Sequence, residues 1–180
     1  ADEFRRVFGR PSGGLVHEYR TSDADVIVVA LGSVLGTIKD TVDEMRGEGQ
    51  KIGVLGITCF RPWPSVAVRN ALQRAKRVVV LEKSLAVGMG GIVGNNVSAS
   101  FSGEADRVHT VIAGLGGRSI TRGSLRRVFE QALTDALEPL TFLDLDRALV
   151  DRVLERERVQ RRSGPIAEGI LKDLGVVAAK

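Results

Sequence analysis

One cysteine, two histidines, one tryptophan and one tyrosine in 180 residues leave little material for several kinds of chemistry. A single thiol, Cys59, forms no intrachain disulfide and cannot ligate an iron–sulfur cluster, which takes four thiolates. It suits a reducing compartment. His17 and His109 show no His-x-x-x-His spacing, so no metal ligand is assigned. Aromatic residues make up only 4%, which leaves few platforms for stacking single-stranded bases. The net charge of +4 comes from interspersed bases and acids rather than a basic stripe, so a nucleic-acid partner is not expected. No apolar run approaches the roughly 20 residues of a membrane-spanning helix, and no signal peptide is read at the start. A cytoplasmic protein without a membrane partner is the expectation. The Gly-x-Ser-x-Gly elbow of a serine hydrolase is missing too.

Apolar β-branched runs and glycine are what the chain does have, with 21 glycines. Val26 to Leu31 is an unbroken apolar run, the pattern of a strand covered on both faces. Ile52 to Ile57, Val78 to Leu81 and Val108 to Ala113 repeat it. Between these runs apolar residues recur at helical spacing: Val34, Leu35, Ile38, Val42 and Met45, then Val66, Val68, Ala71, Leu72 and Ala75. A short helix is expected from Gly91 to Phe101, and an amphipathic one through Leu125, Val128, Phe129, Ala132, Leu133 and Leu137. Strands and helices in alternation predict an α/β fold, a three-layer and mostly parallel sheet with helices on both faces. The expected organisation is an entry arm over 1–22, the α/β domain over 23–138 and a helical extension over 139–180. In that extension Phe142 to Leu145 reads as an edge element, Leu149 to Leu154 as part of a charged helix, and Ile166 to Leu174 as a last short helix.

Four glycine- or proline-marked turns are the candidate sites. Gly32-Ser33 ends the first apolar run; it reads either as a helix-start anion site or as a turn glycine followed by a serine cap. Gly114-Leu115-Gly116-Gly117-Arg118-Ser119 stands between a strand and a helix, as a dinucleotide fingerprint does. However, Ser119 occupies the third glycine position, and the end of the next strand, about 20 residues on, offers no clear ribose-binding acid, since Asp135 and Glu138 lie in or just after the helix. Gly32, Ser33, Gly116 and Arg118 are thus weak cofactor-binding candidates, with conformational turns as the other reading. Gly88-Met89-Gly90-Gly91-Ile92-Val93-Gly94 allows close backbone approach. It lacks the Gly-Lys-Ser/Thr ending of a nucleotide loop, so tight packing against a neighbour is favoured. Phe60-Arg61-Pro62-Trp63-Pro64 is stiffened by its prolines and makes Arg61 and Trp63 interface candidates.

In order along the chain, Ala30-Leu31-Gly32-Ser33, Gly49 to Leu55, Phe60 to Pro64, Val80-Leu81-Glu82-Lys83 and Gly114 to Arg118 resemble the alpha subunits of 2-oxoacid:ferredoxin oxidoreductases. The likeness is to their second domain, which is similar to the transketolase C-terminal domain. Ser163 to Glu168 resembles their C-terminal ending. The resemblance implies part in the oxidative decarboxylation of pyruvate or a related 2-oxoacid to an acyl-CoA, with ferredoxin reduced. It implies thiamine diphosphate, Mg, iron–sulfur clusters and coenzyme A in the complete complex, with none held by this chain. The implied partners are a preceding thiamine (pyrimidine) domain, beta, gamma and ferredoxin-type subunits, and ferredoxin. The chain reads as a piece of a longer polypeptide, with no catalytic residue assigned and a role in packing and assembly. Two alternatives stand beside this: the C-terminal domain of a 2-oxoacid dehydrogenase E1 beta subunit, and a free-standing nucleotide-binding α/β module.

Overall fold

In a computed structural model the chain is described over residues 2–10, 13–101, 105–160 and 170. Among these residues six strands form one sheet in the order β1-β3-β2-β4-β5-β6. They are β1 (Val16–Tyr19), β2 (Val26–Ala30), β3 (Ile52–Ile57), β4 (Arg77–Glu82), β5 (Val108–Ile112) and β6 (Leu140–Phe142). All pairings are parallel except β1 with β3. The helices are α1 (Asp2–Phe8), α2 (Val34–Gly47), α3 (Ser65–Leu72), α4 (Ile92–Ala99), α5 (Arg122–Leu133) and α6 (Arg147–Gln160).

The central strands are apolar at every position because both faces are covered. All five residues of β2 are buried, with Val28 aligned to Val54 on one side and Val79 on the other. Alternate residues feed two cores. Val26, Val28, Val54 and Val79 pack under α2 and α5, whereas Ile27, Val29, Leu55 and Val78 pack under α3 and α4. The helices bury matching stripes: Ile38, Val42 and Met45 on α2, and Leu125, Val128, Phe129 and Ala132 on α5. Complete burial of one such side chain is worth roughly 1.5–3 kcal/mol. The expected three-layer α/β arrangement is therefore present, with its helices on both faces.

The sheet is wider at both ends than the apolar runs suggest. Val16–Tyr19, in the segment read as an arm, pairs antiparallel with β3. Only Val16 and Tyr19 of this edge strand are half-buried, so its four residues carry no hydrophobic run. Side-chain bonds hold its end: the Tyr19 hydroxyl donates to Asp43 Oδ2 at 2.7 Å, and Arg20 Nε donates to Asp43 Oδ1 at 2.6 Å. At the other margin the edge strand is Leu140–Phe142, slightly ahead of the Phe142–Leu145 segment expected. The third helix stops at Leu72, although Ala75 beyond it is buried.

The chain forms two compact units, Ala1–Asp144 and Leu145–Lys180. Within the second, the amide of Leu149 donates to Asp146 Oδ1 at 2.9 Å and so caps α6. The short helix expected between Ile166 and Leu174 lies outside the described residues apart from Ile170, and so does the Ser163 to Glu168 motif.

Candidate functional site

Strand order fixes where a crevice must open. From β2 the chain crosses to β3 on one side, and from β3 it returns past β2 to reach β4. The connections at the carboxyl ends of β2 and β4 therefore diverge to opposite faces, the switch point at which open α/β sheets bind ligands. A cavity of about 500 Å³ occupies that place. Leu31, Gly32, Ser33 and Val34 line it from the start of α2, and Leu81 to Ser84 from the end of β4. Phe60, Ile92, Val93 and Ile120 complete the wall.

The carboxylate at the base of this crevice is already engaged. Glu82 is the last residue of β4 and only 8% exposed. Its Oε2 accepts from the Val93 amide at 2.9 Å and its Oε1 from the Gly94 amide at 2.8 Å. These are first-turn N–H groups of α4, where a negative charge also meets the positive end of the helix dipole. Two glycines make the approach possible. A Cβ on Gly91 would stand 2.1 Å from Glu82 Oε1, and one on Gly94 would stand 2.3 Å from Thr110 Oγ1. Gly91 and Gly94 thus serve close packing inside the domain, and Glu82 occupies the first-turn amides of α4, where an anion would otherwise bind.

Gly32 has φ +80°, the left-handed turn expected of it. Ser33 departs from its expected capping role. Its backbone is already helical (φ −67°, ψ −24°), and its side chain makes no cap bond to α2, since a capping serine sits in extended backbone. Lys83 is exposed and crosses toward the loop after β5, where a Cβ on Gly114 would come within 2.8 Å of Lys83 Cε. Gly116 and Arg118 do not line the crevice. Gly116 has φ +65° with open space around it, and Arg118 donates through Nη1 to the carbonyl oxygen of Asp144. The structure therefore brings Gly32 and Ser33 to the switch point and leaves Gly116 and Arg118 beside it. Glu82 and Lys83, with no site role assigned from sequence, are the charged residues of the crevice wall. Their signal was two charges ending an apolar strand directly before a glycine-rich turn.

The Phe60 to Pro64 loop follows β3. Arg61 is exposed, with its guanidinium 4.0 Å over the Phe60 ring. Trp63 is half-buried against the α3/α4 core and donates through Nε1 to Ser100 Oγ at 3.0 Å. Its ring meets Phe60 edge-on, with centroids 6.1 Å apart. Much of this tryptophan is thus used within the chain.

The sequence profile of the pyruvate:ferredoxin oxidoreductase core domain II matches residues 24–125. The chain belongs to that family. Curated relatives include the pyruvate synthase subunit PorA of Methanosarcina barkeri, 38% identical over 158 residues, covering 83% of this chain and 39% of the relative. The subunit of the same name from Methanothermobacter thermautotrophicus is 39% identical over 127 residues, covering 70% of this chain and 32% of the relative. The chain thus spans 32–39% of the length of these relatives. Among solved structures, the 2-oxoglutarate:ferredoxin oxidoreductase of Magnetococcus marinus superposes with a TM-score of 0.55 at 17% identity. It covers 72% of this chain and 21% of that one, a likeness of fold.

For a core domain II the crevice has a particular lack. Thiamine chemistry takes a carboxylate at the aminopyrimidine ring and a metal-held diphosphate. Here both oxygens of Glu82 are taken by α4 amides, and no group of three His, Cys, Asp or Glu that could hold a metal ion occurs among the described residues. The residues present do not fit thiamine diphosphate, and none is assigned to it.

Proposed function

We propose that this chain is the packing and assembly domain of a 2-oxoacid:ferredoxin oxidoreductase alpha subunit. The observation that carries the reading is the crevice itself. Where a doubly wound sheet would hold a ligand, the one carboxylate is consumed in capping α4 and the remaining wall is chiefly hydrocarbon. Such a site offers no acid–base pair to a substrate, but its apolar wall suits burial. The family match and the PorA relatives support the identity of what is assembled. The complete enzyme would convert pyruvate or a related 2-oxoacid to an acyl-CoA and reduce ferredoxin in the cytoplasm. Thiamine diphosphate, Mg, iron–sulfur clusters and coenzyme A would be held by the remainder of the alpha subunit and by beta, gamma and ferredoxin-type subunits. Arg61 and Trp63 would sit on a contact surface, Trp63 through the part of its ring that the core leaves uncovered.

Calorimetric titration of the 180-residue chain with thiamine diphosphate and Mg²⁺ tests the division of labour. No saturable heat is expected up to millimolar cofactor. Stoichiometric binding to this chain alone would refute the proposal.

A further inference from the structure

The edge of the sheet that carries the crevice differs from the opposite edge in charge. Five strand ends open on it, with loops after β2 (31–33), β3 (58–64), β4 (83–91) and β5 (113–121) and the turn after β6 that begins Leu143-Asp144. The first four hold Arg61, Lys83 and Arg118 and no aspartate or glutamate, and the Asp144 carboxylate after β6 is engaged, accepting from Ser124 Oγ and Arg127 Nη2. The loops leading into the strands carry Asp23, Asp25, Glu48, Asp106, Asp135 and Glu138. Among the described residues no carboxylate pairs with Lys83 or Arg61.

The same loops expose large apolar side chains. Val87 is 100% exposed and Met89 72%, while Leu31, Ile92 and Leu115 are each exposed by two fifths or more. Leu31 and Ile92 belong to the crevice wall. Ile92, Met89 and Arg61 also line a second recess of about 300 Å³ that adjoins it. A small ligand is mostly engulfed by its pocket. One held in the crevice would leave Val87, Met89 and Leu115 in water, since none of them lines its wall. An apolar crevice flanked by exposed apolar side chains is instead the anatomy of a protein interface, where one buried anchor carries much of the energy. The relatives supply the remaining material: this chain accounts for 39% and 32% of the two PorA subunits named above.

We propose that this carboxyl-end loop surface docks an acidic protein surface whose bulky apolar side chain enters the switch-point crevice. Lys83 and Arg61 meet its carboxylates, while Met89 and Val87 cover the flank. The proposal rests on the assembly role given above and names the face that performs it. The cations set partner choice, because like charges brought together at an interface are strongly disfavoured.

The test titrates the ¹⁵N-labelled 180-residue chain with two octapeptides. One has a central Phe-Leu flanked by three acidic residues on each side; the other carries lysines in place of the acids. Amide shifts are expected in 31–34, 83–93 and 114–120, with the acidic peptide at least about tenfold tighter. Lys83→Glu combined with Arg61→Glu should weaken it about tenfold or more, and Met89→Ser should weaken it without altering the preference for acid. Each variant is first shown to unfold at the wild-type urea midpoint; where the double reversal does not, Lys83→Gln replaces it. Equal affinity for both peptides, no binding, or shifts confined to other regions would overturn the proposal. Comparable affinity for octanoate would assign the crevice to small apolar anions, and sedimentation of the chain with phosphatidylglycerol vesicles would assign the face to lipid; either also overturns it. Thiamine binding is not read by this experiment, so failure of the docking face is distinguishable from failure of the assembly role.

Discussion

Gly91→Ala adds one methyl group at a point where the fold has no room for it. Gly91 has ordinary backbone angles (φ −80°, ψ 141°), so the substitution costs little in conformation. Its cost is steric. The new Cβ would lie 2.1 Å from Glu82 Oε1, 2.6 Å from Glu82 Cδ and 3.0 Å from Thr110 Cγ2. The Glu82 side chain is no loose end that swings aside, because it is buried and bonded at both oxygens to Val93 and Gly94. Moving it by the ångström or more required breaks two charge-assisted hydrogen bonds, each worth about 1.5–3 kcal/mol, and strands two first-turn amides of α4. Partial recovery through water lowers the sum, so the expected loss is about 2–4 kcal/mol. Urea unfolding followed by the fluorescence of Trp63 measures it, since the single tryptophan bonds to Ser100 at the far end of the same helix. A double-mutant cycle with Glu82→Ala isolates the cause: with the carboxylate gone, the added methyl should cost at least about 1 kcal/mol less. A loss below about 0.5 kcal/mol for Gly91→Ala, or additivity in the cycle, would refute the account of the glycine-rich turn.

Gly116→Val should destabilise by about 1–3 kcal/mol through backbone strain alone, because φ is +65° and nothing crowds a Cβ there; thermal unfolding reads it, and a neutral result would contradict it. Ser100→Ala should cost about 1–2 kcal/mol by leaving the Trp63 indole N–H without its partner, with a red-shifted emission as the accompanying sign. Acid should weaken the fold in a defined direction. The Arg46 side chain lowers Asp23, the Tyr19 hydroxyl and then the Arg20 charge lower Asp43, and Arg126 lowers Glu48 below the usual carboxylate range. Groups depressed in the folded state stabilise it above the ordinary carboxylate pKa, and that contribution fades as pH falls through their folded values. The urea midpoint should therefore be level near neutrality and decline below about pH 4, with a shallower decline in Asp43→Asn.

The parts of this fold that could be read from sequence are those where burial on both faces leaves an uninterrupted signal. Val26 to Leu31 and Ile52 to Ile57 are such runs, and α2 and α5 announce themselves through Ile38, Val42, Met45 and Val128, Phe129, Ala132. The edges were harder to see because an edge strand buries one side and pairs once. Val16-His17-Glu18-Tyr19 shows two half-buried residues around two exposed ones, and what holds its end is Asp43, 24 residues further on. The site was legible only as a set of turns. Periodicity placed Gly32-Ser33 and the Gly88 to Gly94 run at strand ends, yet strand order alone reveals that β2 and β4 are neighbours and bring those turns together. Likewise the reason for Gly91 and Gly94 lies across the sheet, in Glu82 and Thr110, where no local pattern reaches.

In the proposed assembly role this domain organises a thiamine-dependent enzyme and supplies none of its reacting groups. The most direct measurement is viologen-dye reduction by the purified 180-residue chain given thiamine diphosphate, magnesium, pyruvate and coenzyme A. It is then repeated with the remainder of the alpha subunit and the partner subunits added as separate polypeptides. No reduction above background is expected from the chain alone, with activity on reconstitution. Omitting this chain from the complete mixture should abolish that activity. Dye reduction by the chain alone, or full activity without it, would refute the assembly role.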